Sequence, residues 1–298
     1  MASLPWPRET AGPDDASPGF AQPGSNICLD FHGDPLRAGL VVASDGNHHM
    51  ALREVLEAFL AAHAAVGDVF YSTTPPAVAL RWLASGYVDV GNLRLSARPH
   101  VLISPPAVVA QAIAGGHMGA CRPFMRSRGL ALLVRKGNPK RIAGAGDLLR
   151  PDVRLFLSNP VSEKVSHEVY RNGLRELSAA EGQVLAFLDD LPTATRCGKL
   201  VLGESIHHRE APQALANDAA DVAVVFYHLA LRYQRIFPDL FELVRPAAWA
   251  GDGGGSPGRT DCGLVGDGGA WGARLLDYLE TEAVTRIYRA HGLERVTA

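Results

Sequence analysis

Residues Gly39-Leu-Val-Val-Ala-Ser-Asp-Gly-Asn-His-His-Met-Ala-Leu-Arg-Glu-Val-Leu-Glu-Ala-Phe-Leu60 carry the reading of the fold. Gly39 to Ala43 is a short apolar run of strand length, and Ser44-Asp45-Gly46-Asn47 is turn and N-cap chemistry. Beyond it Leu52, Val55, Leu56, Phe59 and Leu60 recur at helical spacing, with Arg53, Glu54 and Glu57 on the opposite face. The stretch is therefore a strand, a polar loop and a helix, and the unit repeats. Asp68 to Tyr71 predicts a strand, Ser72-Thr73-Thr74 a cap, Pro75-Pro76 a first helical turn, and Val78 to Ala84 a helix stopped at Gly86. His100 to Ile103, Ser104-Pro105-Pro106 and a helix ending at Gly115-Gly116 form a third unit.

Further on, Gly129 to Arg135 reads as a long apolar strand closed by Lys136-Gly137-Asn138-Pro139. Asp152 to Leu157 is a strand, Ser158-Asn159-Pro160 a loop, Ser162 to Leu174 a helix, and Asp221 to Phe226 a very apolar strand running into Tyr227-His228. Trp271 to His291 reads as one amphipathic helix stopped by Gly292, and the Gly-rich Gly251 to Gly269 as a solvated connection. Strands alternating with helices at this spacing specify an α/β architecture of parallel or mixed sheets with helices on both faces.

Composition narrows the function classes. The 298 residues are 47% hydrophobic and 20% charged, enough apolar material for a large core and about two domains. A balance of 29 Lys+Arg against 31 Asp+Glu gives a net charge of -2, which argues against nucleic acid or an anionic membrane surface as the main partner. No apolar run approaches the roughly 20 residues of a spanning helix. The leader, 1–35, holds Pro5, Pro7, Pro13, Pro18, Pro23 and Pro35 and no apolar stretch of signal-peptide type. The expectation is a cytoplasmic chain unless a signal was removed. Cys28, Cys121, Cys197 and Cys262 are widely spaced and read as free thiols.

In open α/β sheets ligands bind outside the carboxyl ends of the strands, where helix N-termini present free N–H groups. Here those loops are Ser44-Asp45-Gly46-Asn47, Ser72-Thr73-Thr74, Ser104 and Ser158-Asn159, rich in hydroxyls and mostly uncharged. Each Ser or Thr alone is an ordinary capping residue. Together they are the donor set that a desolvated anion requires.

Leu130-Ala-Leu-Leu-Val-Arg-Lys-Gly-Asn-Pro139, Gly146-Asp147-Leu148-Leu149, Val153-Arg154-Leu155, Ala219-Ala-Asp-Val-Ala-Val-Val-Phe226 and the closing Leu275 to Gly292 stretch resemble, in that order, the molybdate/tungstate-binding proteins of ABC transporters. The resemblance covers about residues 39–298. It implies a periplasmic-binding-protein-like fold of type 2 with two lobes, 36–122 plus 246–298 and 123–245, the chain crossing near Cys121 to Phe124 and returning near Val244 to Ala248. It also implies a tetrahedral oxyanion held in the interlobe cleft by lobe closure, with no catalysis and no cofactor. Carried over by residue, one hydroxyl falls on Ser44, beside Asp45, and a second on Ser72 or Thr73. Helix-start N–H groups fall on Lys164 to Ser166, including Val165, and on His207 to Arg209. The family's tyrosine falls on Phe226 or Tyr227.

Two departures matter. The second-lobe loop reads Asn159-Pro160-Val-Ser-Glu-Lys-Val-Ser166, and two histidine pairs, His48-His49 and His207-His208, fall in loops expected to face each other. Four imidazoles with Asp45 or Glu210 would suit Zn²⁺ or a similar metal, which is the alternative ligand. A hydrolase lacks its Gly-x-Ser-x-Gly elbow, and a phosphate loop lacks its Gly-x-x-x-x-Gly-Lys-Ser/Thr. The sequence thus predicts a monomeric solute-binding protein for molybdate or tungstate, partnered by an ABC permease if exported. A cytosolic ligand-sensing module on the same fold is the other alternative.

Overall fold

The computed structural model describes residues 31–90, 93–204, 207–249 and 258–296. The leader before Phe31, with Cys28, and residues 250–257 of the Gly-rich stretch lie outside the described residues. The described chain divides into two compact units, 31–126 with 259–296, and 127–249 with 258.

The first unit runs through β1 (Phe31–His32), β2 (Ala38–Ser44), α1 (His49–Ala62), β3 (Asp68–Thr73), α2 (Pro76–Ser85), β4 (Val88–Val90), β5 (Leu93–Leu95), β6 (Val101–Ser104), α3 (Pro106–Ala114) and β7 (Arg122–Ser127). The second holds β8 (Leu130–Arg135), α4 (Ala145–Leu148), β9 (Leu155–Leu157), α5 (Lys164–Ala180), α6 (Leu191–Arg196), β10 (Leu200–Leu202), α7 (His207–Ala216), β11 (Val222–Phe226), α8 (Tyr227–Ile236) and β12 (Phe241–Val244). The chain then returns to the first unit through β13 (Arg259–Leu264), α9 (Gly269–Leu279), α10 (Glu282–Ala290) and β14 (Leu293–Arg295). Phe31 and His32, inside the stretch read as leader, are an edge strand antiparallel to β3.

A seven-stranded mixed sheet, ordered β1-β3-β2-β6-β13-β7-β14, organises the first unit. β2 lies parallel to both β3 and β6, and β13 runs antiparallel to β6 and β7. The alternation of side chains along the strands divides its apolar residues between two faces. Leu40, Val42, Val101 and Ile103 pack with α1, α9 and α10, whereas Val41, Ala43, Phe70 and Leu102 pack with α2 and α3. The second unit carries a five-stranded mixed sheet, β10-β9-β11-β8-β12, whose central strands are fully buried from Leu130 to Val134 and from Val222 to Val225. Each such Leu or Val, withdrawn from water, contributes roughly 1.5–3 kcal/mol. This burial on both faces explains why these strands read as unbroken apolar runs.

Local readings were corrected in four places. Arg259 to Leu264, inside the Gly-rich stretch read as a solvated connection, is β13, paired to β6 and β7 with Asp261, Cys262 and Gly263 buried. Trp271 to His291 is two helices: the first ends at Leu279 with Glu280 as its C-cap, and Thr281 caps the second, its hydroxyl accepting the Val284 N–H at 3.4 Å. Ser72 and Thr73 lie within β3 and cap nothing, because α2 starts on Pro75-Pro76 without any side-chain cap. The helix after Asn159-Pro160 begins at Lys164 and continues to Ala180, past Leu174. Cys121, Cys197 and Cys262 are free. Among the described residues no helix is long and apolar enough to cross a membrane.

Candidate functional site

In the first unit β2 leads through α1 to β3 on one side, while β6 leads through α3 to β7 on the other. The strand order therefore reverses between β2 and β6, and their carboxyl ends form the kind of crevice in which α/β sheets bind ligands. Register places Ser44 level with Thr73 on β3 and Ile103 on β6. The Asp45 N–H extends this ladder to the Ile103 carbonyl at 3.3 Å. Ser44, Asp45, Ser72, Thr73, Thr74 and Ser104 thus meet at adjacent strand ends, and all are buried.

Ser44 and Thr73 share the α1 face. Ser44 Oγ hydrogen-bonds His48 Nε2 at 2.9 Å, and His48 Nδ1 hydrogen-bonds the buried Tyr288 hydroxyl at 2.7 Å, so α10 anchors the start of α1. Thr73 Oγ1 pairs with His32 Nε2 at 3.0 Å. Ser72 points to the other face, and its Oγ accepts the Ser44 N–H at 3.5 Å. Asp45 φ and ψ are extended, and its Oδ1 accepts the Asn47 N–H at 2.9 Å, turning the chain into a short 3-10 turn at Gly46–His48. Asp45 Oδ2, Thr74 Oγ1 and Ser104 Oγ are buried and have no hydrogen-bond partner among the described residues. Burial pushes the Asp45 carboxyl up to about 6 and the His32 imidazole down to about 3. The crevice is therefore lined by neutral hydroxyls and one carboxylate, with no Lys or Arg among these strand-end residues.

In the second unit the order reverses between β9 and β11, which lead to β10 on one side and β12 on the other. Ser158 follows β9 directly and is fully buried, with its Oγ unpartnered among the described residues. Its carbonyl hydrogen-bonds His167 Nδ1 at 2.7 Å. Asn159 Oδ1 accepts the Val161 and Ser162 N–H groups at 2.8 and 3.2 Å, shaping the entry to α5. Val165 is 81% exposed and Ser166 is half-buried, so the first turn of α5 offers its N–H groups near the surface. His207 is buried, and its Nε2 donates to the Val224 carbonyl at 2.8 Å. Burial lowers its imidazole to about 4. The His207 N–H donates to Glu163 Oε2 at 2.9 Å, so a carboxylate of the protein itself occupies the donor expected at this helix start. Burial also raises Glu163 above the usual carboxylate range.

At the end of β11, Phe226 is buried and stacks on His228 with ring centroids 5.5 Å apart. Tyr227 opens α8, half-buried, with the Arg245 guanidinium 4.5 Å and that of Arg128 5.6 Å from its ring. His49 Nδ1 bonds the Gly46 carbonyl at 2.7 Å, and the His208 carbonyl accepts from the Tyr233 hydroxyl. Among the described residues no group of three or more His, Cys, Asp or Glu side chains is placed to hold a metal ion. Sequence reasoning passed over Tyr288, His32, His167 and Glu163, which contact the candidate residues from distant segments. It did quote Thr74 and Ser104, and strand parity is the signal that places them in a row with Asp45.

Over residues 40–294 the chain matches the family of bacterial extracellular solute-binding proteins. It belongs to that family. No curated protein sequence matches it. Solved structures share the fold at low identity. The sulfate-binding protein SubI from Mycobacterium tuberculosis is similar at TM-score 0.62 and 17% identity, over 86% of this chain and 86% of that one. The Azotobacter vinelandii periplasmic molybdate-binding protein is similar at TM-score 0.59 and 16% identity, over 87% and 99%. Peb3 from Campylobacter jejuni is similar at TM-score 0.59 and 15% identity, over 86% and 99%. The two mixed α/β sheets of this solute-binding protein are thus those of the periplasmic-binding-protein-like fold.

Proposed function

We propose that this solute-binding protein captures a small tetrahedral oxyanion at the strand-end hydroxyls of β2, β3 and β6, with molybdate and tungstate as the reference ligands and an ABC permease as the recipient. The observation that carries the reading is the row of buried Ser and Thr hydroxyls at the switch point, two of which, Thr74 Oγ1 and Ser104 Oγ, have no partner among the described residues. Buried polar groups ordinarily find partners, and a small anion supplies acceptors for such donors. The sulfate- and molybdate-binding neighbours have ligands of this class.

Thermal melting of the purified chain against molybdate, tungstate, sulfate, phosphate and Zn²⁺ tests this. A ligand at 100 times its dissociation constant adds about 2.7 kcal/mol of stability. A rise in Tm with at least one oxyanion, reduced by Ser104→Ala, is expected. No rise with any oxyanion beside a clear one with Zn²⁺ would overturn the reading.

A further inference from the structure

A serine hydroxyl can donate or accept, and an anion needs it to donate. Ser44 Oγ lies 2.9 Å from His48 Nε2, and His48 Nδ1 lies 2.7 Å from the Tyr288 hydroxyl. All three side chains are buried. The two distances together leave one arrangement of hydrogens. Tyr288 sits in an apolar cluster, its ring 5.0 Å from that of Phe124, and burial holds its hydroxyl far above the ordinary range, so it keeps its proton. His48 Nδ1 is the acceptor for that proton among the described residues. An Nδ1 carrying its own hydrogen, in either the other neutral tautomer or the imidazolium, would leave the buried Tyr288 O–H unpaired, which is costly. Nδ1 therefore accepts, the ring hydrogen is on Nε2, and Nε2–H donates to Ser44 Oγ. The Ser44 O–H is left to give. Within the first unit it reaches the Asp45 carbonyl at 3.2 Å, long for a hydroxyl-to-carbonyl bond, so a closer acceptor can take it.

We infer that Tyr288, His48 and Ser44 form a relay of ordered hydrogen bonds that fixes Ser44 as a donor toward the ligand, which makes His48 and Tyr288 positioning residues for anion capture. This rests on the oxyanion reading above and adds to it two residues from outside the strand ends, one of them on the closing helix α10. The polarity bears on selection. A donor turned toward the crevice suits the oxygens of an anion and opposes a metal cation, which needs the lone pair that Nε2–H occupies. Ser44 thus selects for the sign of the ligand's charge without a charged side chain. The order is set at the far end. With the Tyr288 O–H removed, Nδ1 can carry the ring hydrogen, Nε2 becomes an acceptor, and the Ser44 O–H turns to it and away from the ligand.

Isothermal titration of the full chain with molybdate, tungstate, sulfate and phosphate, together with NMR of the histidine ring nitrogens, tests the relay. A hydrogen bond to a charged group is worth about 10- to 100-fold in affinity, so Ser44→Ala is expected to weaken the tightest of these anions by about that factor. Tyr288→Phe, which leaves Ser44 in place, is expected to weaken it by about 3- to 30-fold, as part of the same bond is lost. His48→Gln, whose amide N–H can stand in for Nε2–H, is expected to keep most of the affinity that His48→Leu loses. The His48 ring in the wild type is expected to be the Nε2–H tautomer, and in Tyr288→Phe a mixture with Nδ1–H. A purely structural tyrosine would lower Tm and leave tautomer and affinity as they were. An Nδ1–H tautomer or an imidazolium in the wild type would overturn the relay alone, as would unchanged affinity in folded Ser44→Ala, Tyr288→Phe or His48→Leu protein. Absence of heat with all four anions in the wild type would overturn the oxyanion reading itself, and the relay's part in capture with it.

Discussion

Tyr288→Phe isolates the contact through which the last helix supports the candidate site. Tyr288 is fully buried, and its hydroxyl lies 2.7 Å from His48 Nδ1, while His48 Nε2 holds Ser44 Oγ at 2.9 Å. The ring also packs edge-on against Phe124 at 5.0 Å and tilted against His48 at 5.8 Å. Phenylalanine keeps those ring contacts and removes only the hydroxyl. Depriving a buried polar group of its partner costs about 1–3 kcal/mol. At roughly 2–4 °C per kcal/mol for a domain of 150–250 residues, Tm falls by about 2–12 °C. Urea denaturation of wild type, Tyr288→Phe, His48→Gln and the double variant measures the coupling directly. The chain Ser44–His48–Tyr288 requires an interaction energy of about 0.5–3 kcal/mol between the two substitutions. A Tyr288→Phe loss below about 0.5 kcal/mol, or additive single costs, would refute the argument that α10 positions the start of α1.

Two further outcomes are expected. Burial lowers His207 to about 4 from an unfolded value near 6.5, so between these pH values the unfolded chain takes up a proton that the folded one refuses. Stability from this group is therefore intact above about pH 6.5 and falls with acidification by up to about 1.4 kcal/mol per pH unit. Urea midpoints across pH 4–7 in His207→Gln should show a slope shallower by up to one proton, and an unchanged slope would exclude His207 as the source. Thr281→Ala removes the cap that separates α9 from α10, at a cost of about 0.5–2 kcal/mol, whereas Thr281→Ser retains most of it. Equal Tm values for the Ala and Ser variants would show that the cap hydroxyl does not stabilise the helix break.

The architecture was legible because each strand-loop-helix unit changes its apolar period from strand to helix around polar punctuation, as at Ala43, Ser44 to Asn47 and Leu52. The break at Thr281 was hidden because Leu275, Leu276 and Leu279 in α9 are followed by buried Val284 and Tyr288 in α10, and both helices pack on one core. Apolar spacing records which face is buried and passes over a cap between two segments of the same face. Ser44, Asp45, Ser72 and Thr73 were readable as strand-end residues, since a parallel sheet brings successive carboxyl ends together. Their partners were not. Tyr288 lies 240 positions from His48, and His32 lies 41 from Thr73 in a stretch whose prolines suggested a leader. The occupation of the His207 N–H by Glu163 was equally hidden, because it depends on the relative placement of α5 and α7 within their unit.

The near-neutral charge of the chain fits the chemistry of its crevice. A net charge of -2 provides no basic field to gather anions, and the strand-end residues include Asp45 rather than Lys or Arg. On the proposed oxyanion reading, binding then depends on short-range donors, whose strength grows where water is excluded. Thr74 Oγ1, Ser104 Oγ and Asp45 Oδ2 are buried without a partner among the described residues, and each such atom costs the folded protein about 1–3 kcal/mol until something satisfies it. A ligand that supplies partners to such atoms recovers part of that cost on binding.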